Sequence, residues 1–126
     1  MFELDKHYPG ATKYEIAGFF FWQGDKDCRN NAWAASYEKN LVQLIKALRK
    51  DFNAPNATFV CATLGQTKKG AGGNQGKILE AQMAVGDPSK HPEFKGTVAS
   101  VYSHPHSMGG SSSGHYSGNP ETYMNI

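Results

Sequence analysis

Phe19-Phe20-Phe21-Trp22-Gln23-Gly24-Asp25-Lys26-Asp27 decides how this chain is read. Four bulky aromatics run directly into a polar turn with a glycine and two carboxylates. A continuous apolar run bounded by a turn predicts a strand buried on both faces, as in a parallel sheet. In open α/β sheets, ligands gather just beyond the carboxyl ends of such strands. Gln23, Gly24, Asp25 and Asp27 therefore stand where a site is expected.

Working outward, residues 1–15 are polar and turn-rich, with a turn at Pro9-Gly10, and the strand is expected over residues 15–22. After the turn, Asn30 or Asn31 is placed to cap a helix. Trp33, Tyr37, Leu41, Leu44, Ile45, Leu48 and Phe52 recur at three- and four-residue spacings and make one apolar stripe. Asn53-Ala54-Pro55-Asn56 ends that helix, because proline and its predecessor disfavour continuation. Residues 57–64 read as a second strand, which makes a right-handed βαβ unit with parallel strands.

Residues 65–76 hold five glycines and predict a long mobile loop at the same sheet edge. They match no phosphate-binding pattern: Gly76-Lys77 lacks the upstream glycine and the following Ser or Thr. Lys77–Val85 predicts a short helix, Thr97–Tyr102 a third strand, residues 103–114 a loop, and Asn119-Pro120-Glu121 the opening of a last helix. The first strand is the most hydrophobic, so it is expected at the centre of a sheet with further strands on the N-terminal side.

Composition bounds the function. The chain has 126 residues, 39% hydrophobic and 19% charged, which suits one globular domain with a core. A formal net charge of +2, with scattered lysines, argues against a nucleic-acid partner. No segment has the length of a membrane-spanning helix, and no membrane partner is expected. Met1-Phe2-Glu3-Leu4-Asp5 lacks the basic start and apolar core of a signal peptide. The two cysteines do not suggest a disulfide framework, and Cys61, inside an apolar strand, is expected to be a buried thiol.

Several side chains are candidates for chemistry. His115 sits in the loop after the third strand, at the carboxyl edge, and imidazole gains and loses a proton near neutral pH. From spacing alone, an exposed loop histidine is the simpler reading. His104-Pro105-His106 with His115 suggests a metal, but a proline-kinked loop is a poor platform for converging ligands, so neither metal nor cofactor is expected. Asp25 and Asp27 fit an acid/base pair or a solvated capping turn. Gln23, an amide donor at a strand end, is well placed to stabilise an oxyanion. Gly110-Ser111-Ser112-Ser113-Gly114 matches the Gly-x-Ser-x-Gly pattern without the strand and tight turn that a nucleophile elbow requires, so Ser112 is not read as a nucleophile.

Trp22-Gln23-Gly24-Asp25 resembles the Trp-x-Gln-Gly-Glu block of sialate O-acetylesterase-like carbohydrate esterases, within the SGNH hydrolase superfamily. Gly114-His115-Tyr116, with Asn119, Glu121, Thr122, Tyr123 and Met124, resembles the histidine block of the same group, and residues 37–45 resemble the helix between the two. The resemblance implies a three-layer α/β/α sandwich with a parallel sheet, SGNH- or flavodoxin-like, truncated at its N-terminal side. It also implies a serine that attacks an acetyl ester on a sugar, with His115 as general base, Gln23 as oxyanion donor and Gly24 allowing the close turn. The family's aspartate, three residues before the histidine, falls on Ser112, which leaves Asp25 or Asp27, a carbonyl or water to orient His115. The Gly-x-Ser nucleophile block is absent.

The expectation is that residues 1–126 are the C-terminal part of an SGNH hydrolase domain. Its partner would be an acetylated carbohydrate, and the exposed sheet edge would allow self-association. The rival expectation is a catalytically inactive carbohydrate-binding or protein-interaction module, with Trp22, Trp33, Tyr102 and Tyr116 lining a sugar surface.

Overall fold

The computed structural model describes residues 3–126, so the first two residues of the stretch read as polar and turn-rich lie outside the described residues. The elements run α1 (Leu4–His7), β1 (Gly18–Phe21), α2 (Asn31–Asp51), β2 (Thr58–Ala62), α3 (Gly73–Ala84), β3 (Val98–Val101) and α4 (Pro120–Asn125). Both strand pairings are parallel, in the order β1-β2-β3. This is the expected α/β architecture, and it fits an SGNH-like sandwich. The short helix α1 was not foreseen in the polar stretch, and β1 is shorter than the expected residues 15–22.

Asn30 is the cap of α2, its Oδ1 accepting from Ala32 N at 2.9 Å and Trp33 N at 3.1 Å. The stripe of α2 buries Ala34, Tyr37, Leu41, Val42 and Ile45, whereas Trp33 and Phe52, at its two ends, are about half exposed. Against it pack Phe59 and Cys61 of β2, Ile78, Ala81 and Val85 along α3, and Val98 of β3, with Phe19 and Phe21 joining from β1. Helix α3 starts at Gly73, four residues ahead of the predicted Lys77. Tertiary contact overrides the weak helix propensity of its glycines: Asn74 Nδ2 donates to Cys28 O at 3.1 Å and to Asn31 Oδ1 at 2.9 Å, tying its first turn to the start of α2.

One part of the reading of β1 needs correction, its burial on both faces. β1 is the edge strand of the described sheet and β2 the central one. Phe19 and Phe21 face the helices, but Phe20, between them, is 61% exposed, so the strand is not buried on both faces. Two successive crossovers of one hand, stepping from β1 to β2 to β3, lay α2 and α3 on the same face of the sheet. Phe20, Val60 and Ala99 are in register across the other face, where Val101 is also exposed.

Candidate active site

The carboxyl edge of the sheet carries a pocket of about 430 Å³. Trp22, Gln23, Gly24, Asp25, Lys26 and Arg29 line it from the turn after β1, and Ser112, Ser113, His115, Tyr116 and Tyr123 from the segment after β3. Two sequence blocks about ninety residues apart thus meet in one cavity, because parallel strands deliver all their C-terminal turns to one edge.

The turn after β1 is built tightly. Gly24 is buried with φ +146°, a conformation side chains rarely adopt, and a Cβ there would stand 3.0 Å from Ile78 Cγ2 and 3.2 Å from Tyr37 Oη. The Gln23 carbonyl accepts from Tyr37 Oη and from Gln82 Nε2, each at 2.7 Å. Gln82 is fully buried, and its Oε1 accepts from Leu64 N, so one side chain fixes the turns after β1 and β2 together. Tyr37 was read only as part of the apolar stripe of α2, and Gln82 was not singled out. The signal was a polar residue on an otherwise apolar helix face, Ile78-Leu79-Ala81-Gln82-Val85. Burial pushes the Tyr37 hydroxyl well above the ordinary phenol range, so it stays a donor at all ordinary pH.

Each predicted side chain has a definite neighbourhood. Gln23 Nε2 donates to Asp27 Oδ2 at 2.8 Å, and Asp27 itself does not line the pocket. Asp25 Oδ2 pairs with Arg29 Nη2 at 2.7 Å, and its Oδ1 accepts from Ser112 Oγ at 3.0 Å. Gln66 Nε2 donates to Ser112 Oγ at 2.7 Å, a further support that the sequence reading did not identify. Neither aspartate bonds the imidazole of His115: Asp25 is taken up by Ser112 and Arg29, and Asp27 by Gln23. His115 is exposed at the pocket rim.

His104 and His106 lie in a short 3-10 turn. His104 Nδ1 is 2.5 Å from Gly65 O, and neither residue lines the pocket that holds His115. Among the described residues no group of three or more His, Cys, Asp or Glu side chains is disposed to hold a metal. Both cysteines are free thiols. Cys28 is raised above its ordinary pKa by burial and then by Asp25 and Asp27.

A family model described as carbohydrate esterase, sialic acid-specific acetylesterase, matches residues 4–103. The turn with Gln23 is inside that span and His115 is beyond it. A protein from Arabidopsis thaliana of known X-ray structure is similar, with 29% identity and a TM-score of 0.56 over 71% of this chain and 32% of that one. The chain thus spans about a third of that protein's length. No curated protein matches the chain.

Proposed function

Because this chain belongs to the carbohydrate esterase family of sialic acid-specific acetylesterases, we propose that it is the C-terminal portion of an enzyme that hydrolyses acetyl esters on sugars. The observation that carries this reading is the shared pocket of Gln23, Gly24, Asp25 and His115. The serine nucleophile comes from a segment outside this sequence, set beside β1.

In this reading His115 removes the proton of that serine as it attacks the acetyl carbonyl, and returns it to the sugar oxygen as the bond between that oxygen and the acyl carbon breaks. It then activates the water that frees the acetyl-enzyme. Gln23 Nε2 spends one of its two hydrogens on Asp27, which leaves the other for the oxyanion of the tetrahedral intermediate. Gly24 keeps that turn against α3. Asp25, held by Ser112 and Arg29, ties the turn after β1 to the segment that carries His115.

The test is to join the chain behind the serine-bearing segment of a family member and assay an aryl acetate and O-acetylated sugars. Turnover should appear on joining and vanish in His115→Ala, and Gln23→Ala should lower kcat about 10²- to 10³-fold. Hydrolysis by the chain alone would refute the external nucleophile. Activity that survives His115→Ala would refute the base. Glycan binding by the chain with no turnover in the joined protein would select the binding-module reading.

A further inference from the structure

His115, Tyr116 and Ser117 have φ/ψ of 49/41°, 51/35° and 57/26°, and Gly118 follows at φ +66°. Left-handed conformation costs a non-glycine residue roughly 1–2 kcal/mol and is ordinarily visited by single residues. Three in succession persist only where the surroundings over-determine them. The candidate base is the first of the three.

The surroundings are specific. Tyr116 is 3% exposed, and its ring stacks on Trp22 with centroids 5.1 Å apart and planes 14° apart. Tyr123 meets the rings of both, at 5.9 Å from Tyr116 and 5.6 Å from Trp22. The Trp22 indole is fixed by donation from Nε1 to Thr63 O at 3.0 Å. Tyr116 Oη accepts from Gly65 N at 3.1 Å. Tyr123 Oη donates to the His115 carbonyl at 3.0 Å, so it grips the strained peptide directly. Tyr123 is in turn held by α4, whose Thr122 Oγ1 accepts from Met108 N at 2.7 Å and donates to Met108 O at 2.6 Å.

We propose that Trp22, Tyr116 and Tyr123 form an aromatic clamp that holds the left-handed turn 115–118 and so positions His115 through its backbone. The clamp substitutes for a carboxylate partner. The position three residues before the histidine is Ser112, and its hydroxyl goes to Asp25. A fixed backbone sets the direction in which the Cα–Cβ bond of His115 leaves the turn at the pocket rim. Trp22, Tyr116 and Tyr123 are positioning residues, and the inference rests on the reading of His115 as base only for its consequence in catalysis.

The test is nitrogen-15 relaxation and imidazole resonances of the chain, with Trp22→Ala, Trp22→Phe and Tyr123→Phe compared with the parent. The parent amides of residues 115–117 should be rigid, with order parameters near about 0.85, and His115 should give one sharp imidazole resonance. Tyr123→Phe keeps the ring and removes only the grip on the His115 carbonyl. It should drop the His115 amide below about 0.6 and broaden or average its imidazole resonance, with β2 unchanged. Trp22→Ala should do the same to all three residues, and Trp22→Phe should restore them. Rigid order parameters at residues 115–117 in both Tyr123→Phe and Trp22→Ala, or mobility of the turn in the parent, would overturn the clamp. These readouts need no turnover, so they stand or fall apart from the esterase assay.

Discussion

The two faces of the sheet are made from the same three strands and have opposite fates. On one face Phe59 and Cys61, with Phe19 and Phe21 beside them, meet Ile45 and Ile78 in a closed core. On the other, Phe20, Val60 and Ala99 share a row that α2 and α3 do not cover, and Phe20 is 61% exposed. Phe19, Phe20 and Phe21 are chemically identical and adjacent, so hydrophobicity does not separate them. The separation comes from the pleat, which sends neighbours to opposite faces, and from crossover handedness, which puts both helices on one side. An apolar run in a parallel strand thus records that both faces are meant to be covered, and nothing about which cover is present.

The sharpest way to break this contrast is to cut into the covered face. Phe59→Ala should cost about 3–5 kcal/mol of unfolding free energy in urea, through lost burial and the cavity left behind. A loss below about 1 kcal/mol would mean that the face is not a packed core.

The next effect is pH-dependent and belongs to the same face. Burial pushes the Cys61 thiol from 9.0 up to about 12, so the folded state resists its ionisation. The sign follows: this contribution to stability is whole below pH 9, and it is lost as pH rises toward about 12, where the unfolded chain gains by ionising first. Denaturant midpoints measured between pH 8 and 11 should fall, and fall less steeply in Cys61→Ala. Equal slopes would contradict the burial.

The smallest effect is expected on the open face. Phe20→Ser should change unfolding free energy by no more than about 0.5 kcal/mol, as for a surface substitution. If the open face also drives self-association, sedimentation should show the parent sequence as the more associated species and Phe20→Ser as more monomeric. A cost of 2 kcal/mol or more in a monomer, well above the roughly 0.5 kcal/mol surface range, would show that something covers Phe20.

Much of this was legible in the sequence, for local reasons. The 3.6-residue period drew α2, Asn30 or Asn31 announced its cap, which is Asn30, and Asn119 with Pro120 announced α4, whose Glu121 N and Thr122 N bond to Asn119 Oδ1. The β-strand, helix, β-strand alternation implied parallel strands, and parallel strands implied that Gln23, Gly24 and Asp25 share an edge with His115. The glycine-rich stretch read as loop concealed the first turn of α3, because that turn is stabilised by Asn74 reaching Cys28 and Asn31 rather than by propensity. Gln66, Tyr37 and Gln82 were invisible as supports, since a hydrogen bond spanning tens of residues leaves no local pattern.

What local chemistry decides here is which segments form helix or strand, where α2 and α4 begin, and which residues parallel strands deliver to the pocket edge. These follow from periodicity, capping and chain direction, all of which are properties of neighbours in sequence. What the folded chain alone decides is the exposure of Phe20, the bonding of Asp25 to Ser112 instead of to His115, and the left-handed turn that carries His115. These depend on residues distant in sequence meeting in space, as Asp25 and Ser112 do across 87 positions and Trp22 and Tyr116 do in their ring stack, and the energy of such a meeting belongs to the pair rather than to either residue.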